Sequence, residues 1–157
     1  MESFFMSKTA RKILRKFTLS KPAVQLYDRF LPARTLGDRG EREAERFFLR
    51  RGMVLIDRGF QDKFGEIDLI VIDNETIVFV EVKTRTSDTM GLPEEAVDEV
   101  KQEHLTKTAI GFLKWNRLTE CRARFDVISI IWPRDCTEPI IKHIENAFEP
   151  VGEFQMF

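Results

Sequence analysis

The sequence predicts an α/β fold, a mixed central sheet flanked by helices. Two apolar runs, GEIDLIVID and IVFVEVKTR, surround the short polar stretch NET and form the pattern of a β-hairpin. A helix-like stretch precedes the hairpin at about residues 38–51, and another follows it at about 94–115. A third strand-like run, RFDVISIIW, comes next. Helix, strand, hairpin, helix and strand in that order make a small sheet with helices against it.

With 157 residues, 43% hydrophobic and 32% charged, the chain has the composition of one globular domain, and its 14 Phe supply bulk for a core. A net charge of −1 announces no global attraction to nucleic acid. Residues 1–35 are different, holding eight Lys or Arg against Glu2 and Asp28. Residues 1–36 therefore read as a basic N-terminal extension, expected to be flexible. The other readings of this segment are a short amphipathic helix with Ile13, Leu14 and Phe17, a phosphate-contacting arm, a membrane-surface helix, or a transit-like segment. Residues 37–150 form the domain, and 151–157 a tail. Cys121 and Cys136 are too few for a disulfide framework or a zinc site and suit the reduced thiols of a cytoplasmic protein. No apolar run reaches the length of a membrane span.

The first helix is expected from Asp38 to Arg51, with Gly52 as its stop and Ala44, Phe47 and Phe48 as its buried stripe. Glu41 shares that stripe. It reads either as an acid favouring the helix N-terminus or as a functional group. Met53 to Ile56 is expected as a short strand and Arg58 to Phe64 as a connector. Pro93 opens the second helix, whose core stripe is Val97, Val100, Leu105, Ala109, Phe112 and Leu113. Lys101 lies at the edge of this stripe. Asp126 is an acid in an apolar strand, either supporting the site from behind or paired with Arg124. Ile140 to Phe148 reads as an edge strand or a terminal turn.

The hairpin carries the chemistry. A turn centred on Asn74 and Glu75 pairs Asp73 with Thr76, which places Asp68 opposite Glu81 and Glu66 opposite Lys83. Opposed residues share a face, so three carboxylates and one ammonium gather on one side. Two carboxylates about 5 Å apart repel by roughly 3 kcal/mol at an effective dielectric near 20. A shared proton, Lys83 or a divalent cation would offset this. A hard cation such as Mg²⁺ takes carboxylate and carbonyl oxygens, so Asp68, Glu81 and the Val82 carbonyl are candidate ligands, with Lys83 beside them. Plain ion pairs, Glu66 with Lys83 and Asp68 with Arg85 or Arg124, are the competing reading. There is no Gly-rich phosphate loop and no Gly-x-Ser-x-Gly elbow. His104 reads as a helix-surface residue.

GEREA at 40–44, GEIDLI at 65–70, FVEVKTR at 79–85, GLPEEAV followed by Lys101, RFDVI at 124–128 and IENAF at 144–148 together resemble the YraN-like family of predicted endonucleases. That family is similar to the restriction-endonuclease-like PD-(D/E)xK nucleases, near the archaeal Holliday junction resolvases. The resemblance implies a restriction-endonuclease-like core with a catalytic hairpin. It makes Glu41 the acid of the first helix, Asp68 the aspartate of the motif, and Glu81 and Lys83 the Glu-x-Lys pair. Asp68, Glu81 and Glu41 would then bind Mg²⁺ or Mn²⁺, and Lys83 would orient the nucleophile. The implied activity is metal-dependent hydrolysis of phosphodiester bonds in DNA, branched or damaged structures included, with no small-molecule cofactor. A non-catalytic nucleic-acid-binding or scaffold protein on the same fold is the alternative. Arg85, Lys101, Lys107 and the basic arm are candidate phosphate contacts. Many nucleases of this architecture form homodimers. Two departures from the pattern stand out. Ile67 occupies the place of a proline, and the connector RGFQDKF lacks an expected asparagine-x-arginine.

Overall fold

A computed structural model describes residues 35–86, 97–133 and 137–152, together with Arg11, Ile13 and Arg15. Seven elements follow in order: α1 (Leu36–Arg50), β1 (Val54–Gln61), β2 (Glu66–Asp73), β3 (Thr76–Arg85), α2 (Glu99–Trp115), β4 (Arg122–Ile131) and β5 (Ile140–Phe148). The strands form one mixed sheet in the order β1-β2-β3-β4-β5. The β3–β4 pair is parallel, with α2 as its crossover, and the other pairs are antiparallel. The α/β class and the flanked mixed sheet are as the sequence predicts. The architecture is compatible with a restriction-endonuclease-like core.

α1 begins two residues earlier than its sequence suggests because Thr35 caps it. The Thr35 hydroxyl accepts from Asp38 N at 3.0 Å, and the Asp38 carboxylate accepts from Thr35 N at 3.0 Å. β1 is twice the expected length. The stretch read as a connector continues the strand through Gly59, whose backbone is left-handed (φ 56), to Gln61, which pairs with Glu66. An edge strand needs only one neighbour's ladder, so the polar DRGFQ run joins it despite its weak strand signal. The β1–β2 turn is closed by Asp62, whose carboxylate accepts from Phe64 N, Gly65 N and the Thr108 hydroxyl of α2.

α2 starts at Glu99, capped by the Asp98 carboxylate on Lys101 N at 2.8 Å. The expected opening at Pro93 lies outside the described residues, but Val97 and Asp98 precede the helix. Val100, assigned to the buried stripe, is instead 63% exposed. It occupies the first turn, and the face turned to the sheet is built from Leu105, Ala109, Phe112 and Leu113. β5 is the second edge strand, opposite β1.

The sheet has a core on each side. On the α2 side, Ile70, Ile72, Ile77, Phe79, Phe125 and Val127 meet Phe112 and its neighbours. On the α1 side, Leu69, Val71, Val78, Val80, Ile128 and Ile130 meet Ala44 and Phe48. Strand alternation accounts for this division, and burying a side chain of this size contributes about 1.5–3 kcal/mol. Ile13 is helical and 1% exposed, and it belongs to the α2-side core. Thr35 and Leu36, counted with the extension, instead cap and begin α1, and the rest of the extension, apart from Arg11 and Arg15, lies outside the described residues. So does Cys136, while Cys121 is a half-buried free thiol. Among the described residues no helix is long and apolar enough to cross a membrane.

Candidate metal centre

The hairpin register is the expected one from Asp73–Thr76 to Leu69–Val80, and Asn74 at the turn has the left-handed backbone that Asn tolerates (φ 53). The ladder between β2 and β3 then stops. Beyond it, Ile67 and Glu66 stay paired with β1, while Glu81 to Arg85 stay paired with β4. The sheet therefore forks at Asp68 and Glu81. Ile67 packs into the α2-side core and Leu69 into the α1-side core, although strand alternation would place residues two apart on one face. The strand turns over at Asp68, and the mouth of the fork lies open to groups from both helices.

Asp68 Oδ2 accepts from Val82 N at 2.6 Å, so a carboxylate takes the backbone donor released by the fork. By strand geometry the Val82 carbonyl faces the same way. Burial first, then the charges of Glu81 and Glu41, push the Asp68 carboxyl up to about 7, against the Val82 hydrogen bond and the Lys101 charge. Glu81 is 4% exposed. Its Oε1 accepts from Lys83 Nζ at 2.7 Å, and Lys101 Nζ of α2 lies 3.2 Å from its Oε2. That second contact is an ion pair by distance only, since Oε2 is buried and no donor is aligned to hydrogen-bond it. A buried carboxylate oxygen without an aligned donor keeps lone pairs to offer.

Glu41 reaches the same region from α1. Its carboxyl is raised by burial and by Asp38 and Glu66, and lowered by Arg58. Gly40 makes this approach feasible. A Cβ there would stand 1.7 Å from Thr84 Oγ1 of β3, so only glycine lets α1 cross so close. One turn on, the buried Glu45 pairs with Arg58 of β1. Sequence reading missed this pair, because Arg58 was placed in a connector. The i,i+4 spacing of Glu41 and Glu45 was the available signal.

The structure brings together Asp68, Glu81 and Lys83, with Glu41 acting electrostatically on Asp68, and adds Lys101 as the second cation on Glu81. It does not bring Glu66 to Lys83. The fork parts their strands, Lys83 turns to Glu81, and Glu66 is exposed beside Glu41. Lys107 stands apart, paired with Glu103 at 2.5 Å. Arg85 ends β3, where its carbonyl accepts from Trp132 N. Arg124 binds Asp73 and Asp126, not Asp68. Asp126 is a hub in its own right. It accepts from Arg124 and Asn146 N and meets His143 Nε2 at 2.9 Å, and these partners outweigh burial to hold its carboxyl below the usual range. His104 is exposed, as expected.

Among the described residues no three Asp, Glu, His or Cys side chains group together so as to hold a metal ion. The donors fit a different arrangement, in which a hard cation takes one or two carboxylates and completes its shell with water and substrate oxygens. Asp68 and the under-bonded Oε2 of Glu81 suit it.

The fold and site define an α/β protein whose five-stranded sheet forks around a lysine-compensated carboxylate pair. Residues 40–130 match the family described as Uncharacterised protein family UPF0102, and the chain belongs to this YraN family. A UPF0102 protein of Trichlorobacter lovleyi is 44% identical over 115 residues, covering 73% of this chain and 90% of the relative. One of Rhodopirellula baltica is 42% identical over 120 residues, covering 74% and 72%. One of Caldanaerobacter subterraneus is 40% identical over 116 residues, covering 73% and 95%.

Proposed function

We propose that this protein is a metal-dependent nuclease that hydrolyses phosphodiester bonds in DNA, with Asp68 and Glu81 binding Mg²⁺ or Mn²⁺ and Glu41 assisting the metal or its water. The observation that carries the reading is the fork, where two carboxylates stand together and a buried oxygen of one has no aligned donor. A hard cation bound there would neutralise charge on a phosphoryl oxygen and supply an activated water. The remaining work falls to the chain. Asp68 is held by Val82 N, so its second oxygen is oriented and not swinging. Lys83 and Lys101 offset the charge of Glu81, and Lys83, less buried than its partner, is the group placed to hold a water or an anionic oxygen. Glu41, whose charge acts on Asp68 from α1, would reach the same space. Its raised carboxyl suits it to share a proton with an incoming water.

The test is incubation of linear, nicked and branched DNA with Mg²⁺ or Mn²⁺. Cleavage should be lost by at least about a hundredfold in Glu81→Ala and in Lys83→Ala. If both cleave as fast as the parent, the assigned site is wrong. A gel shift that survives Glu81→Ala, with no cleavage under any metal, would make this a nucleic-acid-binding protein on a nuclease-like fold.

A further inference from the structure

An open groove of ≈ 920 Å³ runs along the outer flank of α1, and none of Asp68, Glu81 or Lys83 lines it. Its wall carries five arginines, Arg39, Arg42, Arg46, Arg50 and Arg51, and no lysine. Four of them recur at helical spacing, and at about 100° per residue their mean direction lies roughly 125° around the helix from that of Glu41 and Glu45. From Arg39 to Arg50 the stripe extends roughly 16 Å along the axis. The acids in the groove are Glu43 and Glu138, so the arginines outnumber them in a chain whose net charge is −1.

The arginines are not a loose solvated fringe. The Arg39 guanidinium lies 4.2 Å over the Trp132 ring, and that of Arg51 lies 3.7 Å over Phe47. Stacking fixes the plane and leaves the N–H edges to face a ligand. Among the described residues neither guanidinium meets a carboxylate. Arg46 and Arg50 share one acid, Glu43, at 3.1 and 2.7 Å, and their side chains are 66% and 69% exposed. One carboxylate for two guanidiniums leaves charge unspent on each.

The geometry points to a second nucleic-acid contact in this groove, separate from the carboxylate fork in the residues that line it, that grips the phosphate backbone through arginine forks. Three features favour a nucleic acid over a membrane. The cations are all guanidiniums, whose paired donors match phosphate oxygens. The surface is concave, and its aromatic rings are covered by Arg39 and Arg51 instead of projecting toward acyl chains. The inference rests on the nucleic-acid part of the reading above but not on cleavage.

Fluorescence anisotropy of the full chain with a labelled 20-base-pair duplex and the matching single strand, without divalent metal and over a range of salt, tests it. The double variants Arg46→Gln/Arg50→Gln and Arg39→Gln/Arg51→Gln are compared with the parent. Each phosphate contact removed should lower the slope of log K against log salt by about 0.9, so each double variant loses roughly two units of slope and binds at least about tenfold more weakly. Glu43→Gln, which frees Arg46 and Arg50, should tighten binding. Thermal melts establish that the variants fold. Should the Arg39→Gln/Arg51→Gln protein melt early, the exposed Arg46 and Arg50 pair and Glu43→Gln decide the matter. Parental affinity and slope in both double variants would overturn the proposal. So would variants that lose binding only to phosphatidylserine vesicles and keep it to the oligonucleotides. A protein that binds through the arginines but never cleaves would sink the nuclease reading alone.

Discussion

Replacing Asp68 by asparagine should stabilise this protein at alkaline pH. Asparagine keeps the shape of the side chain and a carbonyl oxygen for Val82 N, but it removes the charge that faces Glu81. The Asp68 carboxyl moves from its ordinary 3.8 to about 7, so folding takes up a proton across that interval. The parent's stability from this group is therefore greatest below about pH 4. It falls as pH rises through about 7, and stays low above it. At about 1.4 kcal/mol per pH unit the ionised carboxylate costs at most about 4 kcal/mol at pH 8. Asp68→Asn should recover about 2–4 kcal/mol there, and less than half as much at pH 5, where most of the parent carries the proton. Urea unfolding of both proteins at pH 5 and 8 measures the difference. Adding Mg²⁺ at pH 8 should narrow it, by about 2.7 kcal/mol at one hundred times Kd, because only the parent retains both carboxylates. The reasoning is refuted if Asp68→Asn is the less stable protein at pH 8, or if the difference does not change with pH.

Three further outcomes follow from the packing. Gly40→Ala should cost about 1–3 kcal/mol in chemical denaturation and slow any cleavage, because the added methyl drives α1 off Thr84 and carries Glu41 with it. Asp126→Ala should cost about 3–5 kcal/mol at pH 7, because Arg124 and His143 lose a fully buried partner. The Asp126 carboxyl is held below its ordinary value, so this contribution is present above about pH 4 and is lost as pH falls further. The parent should therefore lose its advantage over Asp126→Ala in strong acid, as urea midpoints would show. Lys101→Met should move the Asp68 titration to higher pH, followed by carbon NMR of the carboxyl, because Lys101 is a positive charge holding that value down.

Much of the site was legible before folding. Apolar runs on both sides of NET announce a hairpin, and the two-residue turn pairs Asp73 with Thr76. The carboxylates stood out because acids in buried strands need a reason. What failed, failed for physical causes. RGFQ at 58–61 reads as a connector because its residues carry little strand preference, yet ladder bonds to β2 hold it in β1. Glu66 was set opposite Lys83 by extending the register two residues past the point where the strands part. Val100 was assigned to the core by helical period, but the helix starts late enough to turn it outward. Lys101 was read as a phosphate contact or a lysine at the stripe's edge, and its pairing with Glu81 depends on where α2 docks.

The division is between neighbours and strangers in the chain. Alternation, turn chemistry and the misfit of charge in an apolar run are properties of consecutive residues. The hairpin, its even register and the choice of Asp68 and Glu81 as candidate site residues could therefore be read from the amino acids alone. The fork, the second lysine, the approach of Glu41 past Gly40 and the arginine groove against Trp132 belong to the tertiary structure. Each depends on how segments far apart in sequence dock against one another, and side-chain volume and burial decide that only once the whole core is closed.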